Sequence, residues 1–187
     1  DPRGHGASGG RAMDFGWAGD EDVTAAVTFT SAQPGVRSVG ALGLSMGGEQ
    51  VLGAAGGDPR IAAIVAEGAT NRVASDLAWL PERYGTRGGL QLGLEHAKQA
   101  ITGLLTPYSA PGGLQVSLSA IGDRPVLLIT AGQRPDELYA ATYHAAGSPT
   151  VEIWAVEGAG HVGALATDPG AWEQRVVGFF EEALLDR

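Results

Sequence analysis

Four short runs of apolar residues recur along the chain, each of strand length: Ser38–Gly43, Ile61–Glu67, Val126–Ala131 and Thr150–Val156. They are continuous rather than alternating, the pattern of strands buried on both faces in a parallel sheet. Helical periods separate them. Asp20–Ser31 reads as a helix in which Asp20 can cap and Glu21 and Asp22 suit the first turn, with Val23, Ala26 and Val27 on one face. A second helix is predicted from Gly47 to Ala55 and a third near Asp136–Ala146. A last helix has Asp168 as N-cap, Pro169 at its first position and a stripe of Trp172, Val176, Phe179 and Ala183.

Strand and helix thus alternate repeatedly, which predicts a three-layer α/β/α sandwich around a mostly parallel sheet. One segment breaks the rhythm. From Asn71 to Ile121 Gly, Pro, Tyr and Trp are scattered around a single helical stretch at Leu92–Leu105, and the segment reads as a helical cap inserted into a single domain spanning residues 1–187. No repeat or low-complexity tract appears.

Composition narrows the chemistry. With no cysteine, thiol catalysis, disulfides and Cys-ligated zinc are excluded, although no compartment is named. A formal charge of −9 argues against nucleic acid or an anionic membrane as partner. No apolar run approaches the length of a membrane span, and the four histidines show no H-E-x-x-H or other metal-ligand spacing.

The stretch "VGALGLSMGGEQVLG", Val39–Gly53, gathers glycines around one serine. Gly43–Gly47 fits G-x-S-x-G, a weak pattern alone in a chain with 30 glycines. Its place between an apolar strand and a predicted helix strengthens it, because a sharp strand-to-helix turn would hold Ser45 exposed above the sheet. Gly43 and Gly47 are expected to be required there, since a Cβ at either would crowd the turn. A serine hydroxyl needs a positioned base, itself oriented by an acid. His161, in "VEGAGHVG" after the last strand, lies on the same edge of the sheet as Ser45, whereas His96 and His144 fall in predicted helices, where surface exposure is expected. For the acid, Asp136 is taken first and Glu137 second, both after strand Val126–Ala131, with Glu67 at the end of Ile61–Glu67 as a third choice.

Three segments, "DPRGHGASGG" at the start, "GLSMGG" at the turn and "GAGHVG" near the end, resemble the α/β-hydrolase superfamily, in particular its dienelactone-hydrolase-like and esterase-like bacterial members. The order Ser45, Asp136, His161 is also that of the superfamily. The resemblance implies hydrolysis of an ester or related acyl bond through an acyl-serine, with no metal or organic cofactor and with the backbone N–H of Met46 as an oxyanion donor. It further implies that residues 1–8 follow the fourth strand of an eight-stranded sheet. The chain would then lack the N-terminal half of the sheet and the loop that gives a second oxyanion donor. Three outcomes are expected from that departure: a feeble or inactive fragment, a homodimer paired through the exposed Ser38–Gly43 edge, or another source for the donor.

Other readings stand beside this one. Gly4–Gly9 formally matches G-x-G-x-x-G, but no strand precedes it, so His5, Gly6 and Ser8 are read as shaping a loop beside the serine. Phe15, Trp17, Trp79 and Tyr84 are candidates for an acyl pocket or for ordinary core. A peptidase or acyltransferase uses the same acyl-serine, and a non-catalytic, self-associating module is the reading from a different class.

Overall fold

Branched and small apolar side chains fill β2 (Ile61–Glu67) and β3 (Val126–Ala131) almost without interruption, and both strands are buried along their length between β1 (Val39–Leu44) and β4 (Val151–Val156). The computed structural model describes residues 1–11, 15–146 and 148–185. Among them the four strands form one all-parallel sheet in the order β1-β2-β3-β4. Leu44, Glu67, Ile129 and Trp154 stand side by side in register, so the carboxyl ends of the strands form a single line. The site is built just beyond it.

One face of the sheet is covered by α1 (Gly19–Ser31), α2 (Met46–Gly57), α4 (Leu114–Ile121) and α5 (Pro135–Ala145). Their core joins Val27, Leu52 and Ala55 to Ile64, Leu118 and Leu128. The other face is covered by the short α6 (Ala164–Thr167) and by α7 (Pro169–Leu185), where Val176, Trp172 and Phe179 pack on Val65, Leu127 and Ile129. Asp168 caps α7 as its sequence predicts, its Oδ1 accepting the Ala171 N–H at 2.9 Å. Arg124 ties three elements together, donating to the carbonyls of Ala55 at 2.6 Å, Ile61 at 2.8 Å and Ile121 at 3.0 Å.

The segment 71–121 departs from the reading of one cap around Leu92–Leu105. Its long helix, α3 (Leu80–Leu105), begins well before Leu92 and turns at Gly85, which has φ 56°. Pro81 and the four glycines before Leu94 hide this start, because Pro suits a first helical turn while glycine lowers helix propensity. The helix α4 is core rather than cap, since Leu114, Leu118 and Ile121 at i, i+4 and i+7 are buried against α2 and the sheet.

At the opposite edge β1 carries Leu42 and Leu44, which are 40% and 46% exposed. A Cβ on Gly40 would meet Phe180, so by strand alternation these two leucines share the face covered by α7, beyond its flank. Among the described residues no helix is long and apolar enough to cross a membrane.

Candidate active site

Ser45 sits between the last residue of β1 and the first of α2 with φ 52° and ψ −122°, a conformation that side-chain-bearing residues rarely adopt. Its N–H donates to the carbonyl of Glu67 at 2.7 Å, pinning the turn to the neighbouring strand, and its own carbonyl accepts the Glu49 N–H that starts α2. The turn is closed by Gly43, where an added Cβ would lie 2.2 Å from the carbonyl oxygen of Gly47. Gly47 itself is a correction to the sequence reading: no atom lies within 4 Å of a Cβ placed there. The crowded partner is Gly48, which approaches the carbonyl of Gly43 and the methyl groups of Ala66 and Ala69.

His161 comes from the loop after β4. Its Nε2 lies 2.9 Å from Ser45 Oγ, and its Nδ1 lies 2.7 Å from Glu137 Oε1. Space for the imidazole is made by Gly68, at the end of β2. With φ 68° this residue favours glycine, and a Cβ would stand 2.9 Å from His161 Cε1. Glu137 is 4% exposed, and its Oε2 accepts the Ala131 N–H at 3.1 Å. Arg134 Nε lies 3.1 Å from the same Oε1 that faces the histidine. With Nδ1–H donated to a carboxylate, Nε2 is left as the acceptor for the serine hydroxyl, the tautomer a general base requires.

Asp136, the acid taken first from the sequence, does not reach the histidine. Its side chain is 54% exposed, and Oδ1 accepts from Arg83 Nε at 2.8 Å and Tyr84 Oη at 2.5 Å. Consecutive helical residues point about 100° apart. Only one of the pair can turn back toward the strand ends, and in α5 that residue is Glu137. Glu67 is also absent from the histidine's contacts. It points to the opposite layer, accepting the Ala164 N–H at 2.9 Å on Oε1 and the Trp172 Nε1–H at 3.3 Å on Oε2.

His144, expected on the surface, is buried, and its Nε2 donates to the carbonyl of Thr70 at 2.8 Å. Burial pushes its pKa below the ordinary value. Glu49 Oε1 holds the same loop by accepting the N–H groups of Thr70 at 3.2 Å and Asn71 at 3.1 Å. Burial pushes the Glu49 carboxyl above its usual range, against the pull of those two bonds. Arg72, in the next turn, pairs with Asp20 of α1 at 2.5 Å. The loop that borders the serine is therefore fixed from three sides.

Two neighbouring hollows lie between Met46 and α3, sharing Phe15, Trp17 and Arg72 in their walls. Phe15, Trp17, Met46, Glu49, Arg72 and Pro111 line the smaller, beside the serine's neighbour Met46. The larger, of about 170 Å³, lies between Trp17, Asn71–Ala74 and the Glu95, Gln99 and Thr102 side of α3. Trp79 lies apart in a cluster with Tyr139 and Leu80, where it fills core. Tyr84 packs near Trp79 and carries Arg83 over its ring. Larger clefts of about 590 and 410 Å³ lie along Glu152 and α7, away from Ser45, Glu137 and His161.

At the chain start His5 Nδ1 bonds the carbonyl of Arg3, and Ser8 Oγ donates to the carbonyl of Asp1, so this segment forms a self-bonded loop. Arg3 anchors it to α1 through Asp22 and Glu21. No cluster of three or more metal-ligating side chains occurs among the described residues.

No protein-family model matches the chain, and no curated protein matches it in sequence. Solved structures do. An esterase from Pyrococcus furiosus superposes with a TM-score of 0.68 at 22% identity, over 98% of this chain and 69% of its own. An α/β hydrolase from a Penicillium species gives 0.65 at 23% identity, over 99% and 78%. A dienelactone hydrolase from Anabaena variabilis gives 0.60 at 18% identity, over 88% of this chain and 59% of its own. The fold of this chain is that of the α/β hydrolases, dienelactone hydrolase among them.

Proposed function

Starting from the α/β-hydrolase fold, we propose that this protein is a serine hydrolase that cleaves a carboxylic ester or related acyl bond through an acyl-serine. The single observation that carries the reading is the unbroken chain Ser45 Oγ, His161 Nε2 at 2.9 Å, His161 Nδ1 and Glu137 Oε1 at 2.7 Å. The named activities of the structural neighbours, esterase and dienelactone hydrolase, point the same way.

In this reading Ser45 Oγ attacks the acyl carbon while its proton passes to His161 Nε2. Glu137, hydrogen-bonded at Nδ1, steadies the imidazolium that forms. The tetrahedral oxyanion is met by the backbone N–H of Met46, the first residue of α2, whose amide has no partner within the helix. His161 then returns the proton to the leaving alkoxide, whose bond to the acyl carbon breaks to leave the acyl-serine and an alcohol. Water, deprotonated by the same nitrogen, attacks the acyl carbon and releases the acid together with free Ser45. The hollows lined by Phe15 and Trp17 are the site proposed for the substrate's apolar portion.

The test is reaction with a fluorophosphonate, read by intact mass on the wild-type chain and on Ser45→Ala, followed by a screen of short-chain esters. One adduct on the wild type and none on the variant is expected. A folded wild type that stays unlabelled overturns the proposal. A second reading, self-association through the β1 edge, is favoured by the exposure of Leu42 and Leu44 on a strand with β2 as its one neighbour among the described residues. Light scattering at several concentrations decides it, a monomer at every concentration ruling it out.

A further inference from the structure

Glu67 is a buried carboxylate to which the mechanism above gives no role. Its surroundings set it apart from a core acid kept only for stability. The main-chain carbonyl of Glu67 accepts the Ser45 N–H at 2.7 Å, while its side chain crosses to the other layer and accepts the Ala164 N–H at 2.9 Å. Ala164 follows His161 by three residues. One residue therefore grips both halves of the Ser45–His161 pair, the nucleophile through its backbone and the histidine loop through its carboxylate.

The histidine loop needs such a grip. Val162, the residue after His161, has φ 49°, a backbone state that β-branched residues almost never hold unaided. Strained conformations of this kind persist only where the surroundings over-determine them. Two hydrogen bonds bracket the strained residue. Gly163 N–H closes a turn onto the carbonyl of Gly160 at 3.0 Å, and Ala164 N–H is held by Glu67. Trp172 Nε1, at 3.3 Å from Oε2, fixes the rotation of the carboxylate and links it to α7. A carboxylate suits the post because it offers acceptors only, and both neighbouring groups are donors.

We infer that Glu67 is a positioning residue for the proposed hydrolysis: by clamping the Val162–Ala164 turn against the end of β2, it holds His161 within reach of both Ser45 and Glu137. The inference rests on the serine-hydrolase reading for its kinetic consequence, but not for its structural one. The hydrogen bond from His161 Nδ1 to Glu137 exists or fails regardless of whether an ester is cleaved.

The experiment compares wild type with Glu67→Leu, Glu67→Gln and the pair Glu67→Gln/Trp172→Phe. Two signals are read: the downfield proton resonance of the Nδ1–H bonded to Glu137, assigned by its loss in His161→Gln, and the rate of fluorophosphonate labelling. In Glu67→Leu, with far-ultraviolet circular dichroism unchanged, the resonance should vanish into exchange and labelling should slow about 100-fold, the cost of an ångström of misplacement. Glu67→Gln keeps an acceptor for Ala164 but turns an amide N–H toward the indole N–H. It should lose about tenfold in labelling and regain most of that when Trp172→Phe removes the opposing donor. A purely structural carboxylate would lower the melting temperature and leave both signals intact in the folded fraction, which overturns the inference. Should Glu67→Leu fail to fold, Glu67→Gln and its Trp172→Phe rescue decide alone. Should the wild type remain unlabelled, the hydrolase proposal falls and the resonance still decides the positioning role.

Discussion

Replacing Glu137 by glutamine tests which of two adjacent acids serves His161. The substitution preserves shape and removes charge, and the surroundings of Glu137 leave the new amide no good orientation. If its nitrogen takes the place of Oε1, it faces His161 Nδ1 and Arg134, and the imidazole must present Nδ1 as acceptor. The proton then sits on Nε2, where it opposes removal of the Ser45 proton. If the nitrogen takes the place of Oε2 instead, it meets the buried Ala131 N–H, and an unsatisfied buried donor costs about 1–3 kcal/mol. The wrong tautomer is therefore favoured roughly 10- to 100-fold, and loss of the carboxylate charge beside the imidazolium adds to it. A wrong-tautomer acid variant of a comparable triad loses about 10⁴ in kcat, so a loss of about 10³- to 10⁴-fold is expected here. Asp136→Asn weakens only half-exposed contacts with Arg83 and Tyr84, the ion pair worth about 0–1 kcal/mol to stability, and kcat should stay within about threefold. The assay is hydrolysis of a p-nitrophenyl ester of short chain length, with active sites counted by fluorophosphonate titration. Retention of more than a tenth of kcat by Glu137→Gln, or an equal loss in Asp136→Asn, would refute the reasoning.

Two further predictions concern stability. Gly43→Ala forces a Cβ into the Gly47 carbonyl and should cost about 3 kcal/mol or more, a fall of roughly 6–12 °C in melting temperature, whereas Gly47→Ala meets open space and should be neutral or gain up to about 1 kcal/mol; calorimetry of the two variants checks the contrast. Burial holds His144 below its ordinary pKa of 6.5, so the unfolded chain takes up a proton more readily than the folded one, and stability falls as pH drops below about 6.5 toward the depressed value. Urea denaturation between pH 7 and pH 5 should show wild type losing up to about 1.4 kcal/mol per pH unit relative to His144→Gln; parallel pH profiles would contradict this.

The strands were legible because a parallel sheet buried on both faces writes itself as continuous apolar runs, and the strand-to-helix turn at Ser45 was legible because it needs small neighbours in a fixed local order. Legibility failed wherever the deciding partner was distant in sequence. Asp136 and Glu137 are equivalent until the phase of α5 against β3 is known. Gly43 and Gly47 look alike in the motif, yet only the first opposes backbone, and the demand for Gly68 arises from an imidazole beyond residue 160. His144 was readable in hindsight, since Ala140 and Ala141 place the i+3 and i+4 position on the buried side of α5. The same holds for α4, whose apolar spacing was submerged in a glycine- and proline-rich segment.

The contact between Ser45 and His161 closes a loop of 116 residues, and the bond from His161 to Glu137 closes one of 24. Long-range closures of this kind come late, because loop entropy is spent before the contact returns it. A chain emerging from the ribosome carries Ser45 long before it carries His161, so on the proposed mechanism the hydroxyl would stay unactivated through synthesis and early collapse. On the proposed mechanism, reactivity toward a fluorophosphonate would be a clock for the final docking of the β4–α7 segment onto the sheet. In a refolding time course it should lag behind helix formation, and the lag would measure how long the rest of the molecule waits for that segment.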